Sequence, residues 1–338
     1  MKIRLKDIAE ATGFSINTVS HALRDEPDIP EATRKKIKAT AKEMGYIPNA
    51  YASSFRSGKT RTVSVILPDI INPHFTIVFR EIEQFFRSVG MTPFFMNTNE
   101  NIEEELNAVK QSIGQNVAGV ILCPTQVGTQ SLALLESARM PFVLIGRHFD
   151  GEPDADSVVC DDFSGGYQAT KHLLELGHKR IAYVRVSSII SSDKERFTGY
   201  KKALDESGVP FIEQLVLDLN LTGIENGRAI QDFLKSNPDC TAVLSFNDSL
   251  AYTIMREIKL LGMRVPEDIS IMGFDNICSD FTFPTMLSSV SVSKKHMAQT
   301  ASEVLYARIQ GSDQAVEKKH IVLPTKLFLR ETTAQARK

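Results

Sequence analysis

The feature that most constrains the fold is a regular alternation of short apolar runs and amphipathic segments over residues 62–310. This alternation is typical of βαβ units, which build parallel sheets with helices on both faces. The predicted strands cover residues 63–67, 93–96, 118–123, 142–145, 180–186, 242–246 and 269–274. The predicted helices lie near residues 75–89, 102–114, 130–138, 164–176, 194–207, 224–236, 248–261 and 294–310. So many strands favour two doubly wound parallel sheets rather than one, and hence an α/β core.

The first 45 residues follow a different pattern, that of short helices around a small core. Residues 5–12 carry apolar side chains at helical spacing, and residues 16–23 repeat the pattern. Gly13 breaks the first helix, because only glycine turns left-handed without a Cβ penalty, and Ser15 is a candidate N-cap of the second. Residues 29–45 form a third helix. A Gly-containing turn between two short helices predicts a helix-turn-helix, whose second helix fits the major groove of DNA, although similar helical hairpins also occur in folds that bind no DNA.

Charge is distributed unevenly along the 338 residues. Residues 1–60 hold 11 Lys and Arg against 7 Asp and Glu, a net charge of +4, whereas the remainder has a net charge of −6. A basic head on an acidic body indicates that only the head meets phosphate. The sequence is charged from Lys2 onward and has no long apolar run, so we expect no signal peptide, no membrane span and a cytoplasmic protein.

Several enzyme and cofactor motifs are excluded. The cysteines form no close pairs, so the sequence indicates neither a zinc site nor a disulfide framework. Gly58-Lys59-Thr60 would need a glycine five positions before Gly58 to match a phosphate-binding P-loop, and Ser53 stands there. His148, Asp161 and Asp162 lack metal-ligand spacing. We therefore expect no cofactor, no bound metal and no catalytic residues.

A short segment links head and body. Pro48 pushes its neighbour Ile47 out of helical geometry, Asn49 can cap a helix through Ser57, and Gly58 can end it. A helix of fewer than ten residues is marginal alone, so we expect it to form only on a partner.

Polar side chains follow the ends of several predicted strands. Ligands in open α/β sheets bind at the carboxyl ends of strands, so these groups are expected to converge on one cleft. They are residues 72–75, 147–148, 161–162, 187–196, 247–248 and 275–276.

The chain resembles the LacI/GalR (lactose-repressor/galactose-repressor) family of transcriptional regulators over essentially its whole length. The head carries Lys-Asp-Ile-Ala, Gly-Phe-Ser and Thr-Val-Ser within residues 6–20, Thr-Arg at 33–34 and Gly-Tyr-Ile-Pro-Asn at 45–49. The body carries Asn-Pro-His-Phe at 72–75, Gly-Val-Ile at 119–121, Leu-Gly-His-Lys-Arg-Ile at 176–181, Asn-Asp at 247–248 and Val-Pro-Glu-Asp-Ile-Ser-Ile-Met-Gly-Phe-Asp at 265–275.

The resemblance implies a helix-turn-helix head, a hinge helix and a two-lobed core like that of periplasmic sugar-binding proteins. It also implies a homodimer on a palindromic DNA operator, controlled by a small molecule in the cleft. On this basis we expect a head over residues 1–48, a hinge over 49–60 and an effector-binding, dimerising core over 61–338. The expected first lobe covers residues 61–160 and 293–322, and the expected second lobe covers residues 161–290 and 323–338.

The same resemblance assigns candidate binding residues. The candidate DNA contacts are Ser15, Ile16, Asn17, Thr18, Ser20, His21, Asn49, Ala52 and Phe55. Asn17 can pair bidentately with adenine, and Phe55 is placed to wedge into a base step. The candidate effector contacts are Phe75, Arg147, Asp161, Arg196, Asn247 and Asp275.

Some positions depart from the family pattern. His21 replaces a common Arg and offers a single-point contact, whereas an Arg could grip guanine bidentately. Ser53 and Phe55 replace a frequent Arg and the usual Leu, and Gly146 stands where Asp is often found. These departures concern the choice of operator and ligand, not the capacity to bind DNA.

Alternative functions remain open at this point. Arginine, carboxylate and amide groups suit the hydroxyls of a sugar, but Phe75 could stack on a purine, and the absence of Trp removes the strongest sugar-stacking surface. A sugar-binding protein without a regulatory role would explain only the core. An enzyme would need a nucleophile or phosphate loop, and none is found.

Overall fold

The computed structural model describes residues 3–47, 60–149, 151, 155–186, 189–219, 226–279, 286–311 and 318–337. The chain divides into two compact units, Met1–Thr60 and Arg61–Lys338. The predicted hinge helix, with Asn49, Ala52, Ser53 and Phe55, lies outside the described residues.

The first unit, the head, contains three described helices: α1 Leu5–Thr12, α2 Ile16–Leu23 and α3 Glu31–Glu43. The side chain of Asp7 accepts a hydrogen bond from the backbone N–H of Arg4 at 2.8 Å, which satisfies a free amide at the start of α1. Gly13 ends α1 with φ +77°, as its position predicts. Ser15 caps α2, since its Oγ accepts the Thr18 N–H at 3.1 Å.

The three helices enclose a small apolar core. Ile8, Val19 and Ile37, one from each helix, are fully buried, and Ala22 and Ala41 pack beside them. Each helix therefore buries one stripe of side chains and leaves the opposite face to solvent.

The second unit, the core, contains two six-stranded sheets. The first sheet has the order β11-β5-β4-β3-β1-β2, and all its pairings are parallel. The second has the order β12-β10-β9-β8-β6-β7, and only β12 is antiparallel. The strands are β1 Thr62–Leu67, β2 Thr92–Asn97, β3 Gly119–Leu122, β4 Phe142–Ile145, β5 Ser157–Cys160, β6 Ile181–Arg185, β7 Val216–Asp218, β8 Ala242–Ser245, β9 Ser270–Phe274, β10 Ser288–Ser291, β11 His320–Leu323 and β12 Lys326–Phe328.

Helices flank both sheets and define two lobes. The first lobe is the first sheet with α4 Pro73–Ser88, α5 Ile102–Gly114, α6 Gln130–Ser137 and α11 Lys294–Ile309. The second lobe is the second sheet with α7 Asp162–Glu175, α8 Ser191–Glu206, α9 Asn226–Ser236 and α10 Asp248–Leu260. Because α11 packs on α4 and on β3 to β5, the chain returns to the first lobe after β10.

Helices α7 and α8 pack unusually closely through two glycines. A Cβ on Gly166 would overlap the backbone carbonyl of Arg196, and a Cβ on Gly199 would overlap that of Phe163. This close approach brings the first turn of α7 beside the middle of α8, where Arg196 lies. No helix in the described part of the chain combines the length and apolarity needed to cross a bilayer.

The prediction of an α/β core with two mainly parallel sheets is confirmed. The alternation of apolar runs did not predict β5, β7, β10, β11 or β12. These strands are three or four residues long, and β7, β11 and β12 lie at sheet edges, where the partner strand rather than local hydrophobic periodicity decides pairing.

Candidate functional site

The outward face of α2 carries most of the predicted DNA contacts of the head. Ile16 is 49% exposed although it is a large apolar residue, and Asn17 beside it is also exposed. The Oγ of Ser15 and the Oγ1 of Thr18 lie 2.9 Å apart at the start of the helix. An exposed apolar side chain next to polar groups is the composition that reads thymine methyls and base edges in a groove.

Ser20 does not share this face. Its side chain is buried, and its backbone carbonyl accepts a hydrogen bond from Arg24 Nε at 3.2 Å. The expectation that Ser20 contacts DNA is not supported by its burial, because the small residue lies on the packed stripe of α2 with Val19.

His21 lies at the edge of the exposed face and has a carboxylate partner. Its Nδ1 is 2.6 Å from Asp28 Oδ2, in the turn that joins α2 to α3. Asp25, in the same turn, instead contacts Lys38 Nζ at 2.5 Å and so ties the turn to α3.

A cleft of about 410 Å³ lies between the two lobes of the core. This volume falls within the range of small-molecule sites in proteins. Its wall consists mainly of residues that follow strand ends, as open α/β sheets require. These are Asp69, Ile71, Asn72, His74, Phe75, Asn99, Glu100, Cys123, Gly146 and Arg147 from the first lobe, and Val186, Ser192, Arg196, Asn226, Phe246, Asn247, Ser249, Leu250, Thr253 and Asp275 from the second.

Arg147 is a buried cation in the wall of the first lobe. Its guanidinium donates to both carboxylate oxygens of Glu100, at 2.6 and 2.8 Å, and to the carbonyl of Pro124 at 2.9 Å. A bidentate pair of this kind is strong and geometrically fixed. The Glu100 carboxylate therefore offsets the charge of Arg147 before any ligand enters.

Arg196 is the corresponding cation of the second lobe. Its Nε donates to Asp162 Oδ1 at 2.8 Å, and its Nη1 donates to the Phe246 carbonyl at 2.7 Å. The guanidinium carbon lies 3.6 Å from the centre of the Phe274 ring. Burial raises the pKa of Asp162 to about 6, and the pull of Arg196 opposes that rise. The predicted ligand residue is thus also a structural anchor between α8 and α7.

Asp275 carries the least satisfied carboxylate of the wall. Within the described residues, its closest basic side chains are His74, with Nδ1 at 3.6 Å, and Arg196, with Nη2 at 3.9 Å, both beyond hydrogen-bond distance. Burial raises the pKa of Asp275 to about 6, while Arg196 and Lys294 act in the opposite direction. A buried carboxylate with free lone pairs calls for a donor from a ligand.

The backbone that presents Asp275 is strained and held in place. Asp275 has φ +100° and Asn276 has φ +52°, in the region that side-chain-bearing residues seldom adopt. The ammonium of Lys294 donates to the carbonyls of both residues, at 2.8 and 3.1 Å. Strain maintained in this way is characteristic of binding sites.

His74 faces Asp275 from the opposite lobe. Burial, together with Lys294, Arg196 and Arg147, holds the pKa of His74 well below its usual value, so the ring is neutral. The 3.6 Å contact with Asp275 is therefore not an ion pair. The Nδ1 atom is buried and has no hydrogen-bond partner in the part of the chain that the structure describes.

Phe75 and Asn247 also reach the cleft, as predicted. Phe75 packs edge-on against His74, with ring centres 5.0 Å apart. Asn247 caps α10, because its Oδ1 accepts the Leu250 N–H at 2.8 Å, and the residue lines the cleft. Phe75, Arg147, Arg196, Asn247 and Asp275 are thus brought together.

Asp161 is not part of the cleft wall. Its carboxylate caps α7 by accepting the Ser164 N–H at 2.9 Å, and its backbone N–H donates to the carbonyl of Leu323 at the end of β11. The ligand contact expected at Asp161 therefore stays a prediction: the residue lies at the junction of the lobes, and the neighbouring Asp162 pairs with Arg196.

The candidate effector contacts omit several residues that shape the cleft: His74, Glu100, Cys123, Asp162, Ser192 and Lys294. Three of them, His74, Asp162 and Ser192, lie within the strand-end clusters 72–75, 161–162 and 187–196 that the sequence indicated. Glu100 follows β2 by three residues, so the same rule applies to it, whereas Lys294 follows β10, a strand that the pattern did not predict. Burial raises the pKa of the Cys123 thiol to about 12, which makes it a poor nucleophile.

One glutamine joins the two lobes beside the cleft. Gln126 of the first lobe accepts the Ser191 N–H at the start of α8 at 2.8 Å and donates to the His148 carbonyl at 2.5 Å. Its backbone φ of +63° directs the side chain there. Within the described ranges, no group of three or more His, Cys, Asp and Glu side chains is arranged to hold a metal ion.

Two family models together match almost the whole chain. Residues 4–49 match the family model of bacterial regulatory proteins of the lacI family. Residues 60–331 match the model of periplasmic binding proteins and the sugar binding domain of the LacI family.

Individual relatives extend over almost the whole chain. The transcriptional regulator DegA of Bacillus subtilis is 31% identical over 99% of both chains. The transcriptional repressor PurR of Aliivibrio fischeri is 31% identical over 91% of this chain and 92% of its own. A LacI family regulator from Enterococcus faecium, solved with bound ribose, is 30% identical, with a TM-score of 0.70 over 82% of this chain and 100% of its own. The chain belongs to the LacI family of bacterial regulatory proteins, and it is a DNA-binding transcriptional regulator with a ligand-responsive core.

Proposed function

We propose that this regulator is a repressor that binds a palindromic operator as a homodimer and is controlled by a sugar bound between the two lobes. The proposal of a sugar ligand rests on how the charged side chains of the cleft are paired. Arg147 and Arg196 already have carboxylate partners, and the Asp275 carboxylate has no hydrogen-bond donor among the described residues.

A neutral molecule rich in hydroxyl groups fits this arrangement. Its hydroxyls can donate to Asp275 and to the acceptor nitrogen of His74, and they can accept from the Asn247 amide. An anionic ligand would meet Asp275, Asp69 and Glu100 without an unpaired cation to offset them among the described wall residues. The E. faecium regulator with bound ribose supports a sugar in this fold.

A purine or nucleoside is the second candidate, and two aromatic residues favour it. Phe75 and Phe246 both line the cleft, one from each lobe, and either ring could stack on a planar base. Asp275 and Asn247 could then satisfy the polar edge of that base. The two ligand classes differ in ring aromaticity, which binding experiments separate directly.

On the DNA side, we propose that α2 enters the major groove. Ile16, Asn17 and His21 present apolar, amide and imidazole groups at its solvent side, and Ser15 and Thr18 lie at its first turn, near the phosphates. Asn49, Ala52 and Phe55 are proposed to contact the minor groove, with Phe55 as the wedge. Binding of this kind involves no catalysis, and it places the protein with the DNA in the cytoplasm.

A thermal-shift screen of the intact protein tests the ligand class. Ribose and other mono- and disaccharides form one set, and adenosine, guanosine and hypoxanthine form the other. A ligand that binds only the folded state raises the melting temperature, and we expect a sugar to do so. Asp275→Asn should lose the shift. A shift with purines alone would contradict the sugar proposal, and a gel shift with the hit then shows whether it weakens or strengthens operator binding.

A further inference from the structure

The side chain of Asp28 has one partner in the described part of the head, and that partner is His21. The carboxylate is 54% exposed, and its Oδ2 lies 2.6 Å from the imidazole Nδ1. Asp25, three residues earlier, has different partners. Its carboxylate accepts a hydrogen bond from Lys38 Nζ, and its backbone carbonyl accepts one from Arg34 Nη1. An acidic side chain near a DNA-binding surface repels phosphate. The presence of Asp28 at this position therefore calls for a role that outweighs this repulsion.

The hydrogen bond to Asp28 decides which ring nitrogen of His21 carries the proton. An ionised carboxylate can only accept, so the hydrogen lies on Nδ1. In the neutral ring this leaves Nε2 as an acceptor, and no described residue of the head provides it with a donor. A carboxylate that fixes a histidine tautomer through Nδ1 is a common positioning device in proteins.

An acceptor at the edge of α2 can read a limited set of bases. In the major groove, only adenine N6 and cytosine N4 offer donors, whereas guanine and thymine present acceptors toward the same space. The opposite tautomer, with hydrogen on Nε2, would be a donor, and its partner would be guanine O6 or N7, thymine O4 or adenine N7. The tautomer of His21 therefore decides whether Nε2 binds a base that offers a donor or a base that offers an acceptor.

We propose that Asp28 is a positioning residue for DNA recognition: it holds His21 with Nε2 as an acceptor, so that each half-site is read for the exocyclic amino group of an adenine or a cytosine. This inference rests on the proposed entry of α2 into the major groove. Without Asp28 both tautomers become available, and the discrimination against guanine falls.

The test uses the full-length protein and an operator selected from random duplexes. The base pair read by His21 is the one whose preference disappears in His21→Ala. At that pair, duplexes with each of the four bases are compared by fluorescence anisotropy. We expect the native protein to prefer adenine or cytosine over guanine by roughly 3- to 10-fold per half-site, the effect of one hydrogen bond.

In Asp28→Ala, the affinity ratio between the adenine or cytosine duplex and the guanine duplex should fall below about 2. In His21→Ala, the further change Asp28→Ala should leave this ratio unaltered, since the two residues act as one unit. Asp25→Ala is the matched control, because it removes the same charge from the same turn and should keep the preference. Both variants should bind random duplex equally well, which shows that the head remains folded.

The outcomes separate the inference from the function on which it rests. A native preference for guanine, or an unchanged preference in Asp28→Ala, overturns the positioning role while leaving DNA binding by α2 intact. If His21→Ala alters no base preference at any position, His21 does not read the operator, and the proposed contact itself fails.

Discussion

Asp275 is the residue that the proposed ligand binding depends on most directly, and its pKa provides a test of that proposal. Burial raises that pKa to about 6, and a ligand hydroxyl needs the ionised form as an acceptor. Below pH 6 a proton competes for the same oxygen, so the apparent affinity should fall by about tenfold per pH unit. Calorimetric titration with the ligand found by thermal shift, from pH 5 to pH 8, measures this slope.

The matched variant is Asp275→Asn, which keeps the shape and removes the titration. It should bind roughly 10- to 100-fold more weakly at pH 7.5, the effect of losing a charge-assisted hydrogen bond, and its affinity should vary little with pH. If the variant keeps the native slope, the titrating group is another one, and Asp162, whose pKa is also about 6, becomes the first candidate.

Arg196 illustrates a residue with two tasks, and its substitution should affect stability as well as binding. Arg196→Ala leaves the Asp162 carboxylate buried without a counter-ion, which costs about 3–5 kcal/mol of unfolding free energy. Asp162→Asn added to Arg196→Ala removes the unpaired charge and should recover more than half of that loss. Urea unfolding of the two variants measures the difference. Equal stability would show that the pair contributes no net charge effect.

The residues of the cleft show how far sequence reasoning reaches. Arg196, Asn247 and Asp275 follow strand ends in sequence, so the sheet rule predicted their convergence. His74 lies within the predicted cluster 72–75 but was not chosen as an effector contact, and Lys294 was not indicated, because their roles depend on what faces them in another lobe or segment. The sequence does not distinguish the adjacent carboxylates Asp161 and Asp162, whose different partners, the Ser164 N–H and Arg196, follow from the packing of α7 against α8.

At the scale of elements, α8 depends on a residue of the opposite lobe. Its N-cap residue, Ile190, has no side chain able to cap, and Gln126 supplies the acceptor for the Ser191 N–H. The Ser191 Oγ also accepts the backbone N–H of His148, from the first lobe, at 3.2 Å, so capping of α8 and closure of the lobes are linked. Neither the spacing of Gln126 nor its residue type indicates this role in the sequence, since 65 residues separate the two partners.

Gln126→Ala should therefore loosen the start of α8 and weaken ligand binding. Loss of a helix cap costs about 1 kcal/mol, which corresponds to roughly fivefold in ligand affinity if the cap forms only in the closed core. Hydrogen exchange at the first-turn amides of α8 should accelerate, and Gln299→Ala, on an exposed face of α11, serves as the control. Unchanged exchange together with unchanged affinity would show that the cap is dispensable.

Short strands mark the limit of prediction at this scale. The long helices were placed within about three residues, because a continuous amphipathic stripe defines them. β11 and β12 are separated by only two residues, yet they pair with β5 in the first lobe and β10 in the second. Nothing in so short a sequence indicates that it changes sheets, because the partners are set by the packing of both lobes.

For the whole molecule, the uneven charge predicts different salt responses at the two ends. The head carries a net charge of +4 and the remainder −6, so phosphate contact belongs to the head. A protein that neutralises 6–10 phosphates loses about a thousandfold or more in affinity between 50 and 200 mM salt, because each released counterion gains less entropy as the bulk salt concentration rises. We expect operator binding by the intact dimer to follow this slope.

Ligand binding should respond to salt far less. The two guanidinium groups of the cleft are buried and already paired with Glu100 and Asp162, so a neutral ligand gains little from long-range attraction. Anisotropy with operator DNA and calorimetry with the ligand, over one salt series, compare the two slopes in the same protein. Lys36→Gln in α3 should reduce the operator slope if that lysine meets phosphate, whereas Lys110→Gln in the core should not. A ligand slope as steep as the operator slope would mean that the ligand is charged, and a flat operator slope would remove phosphate contact from the head.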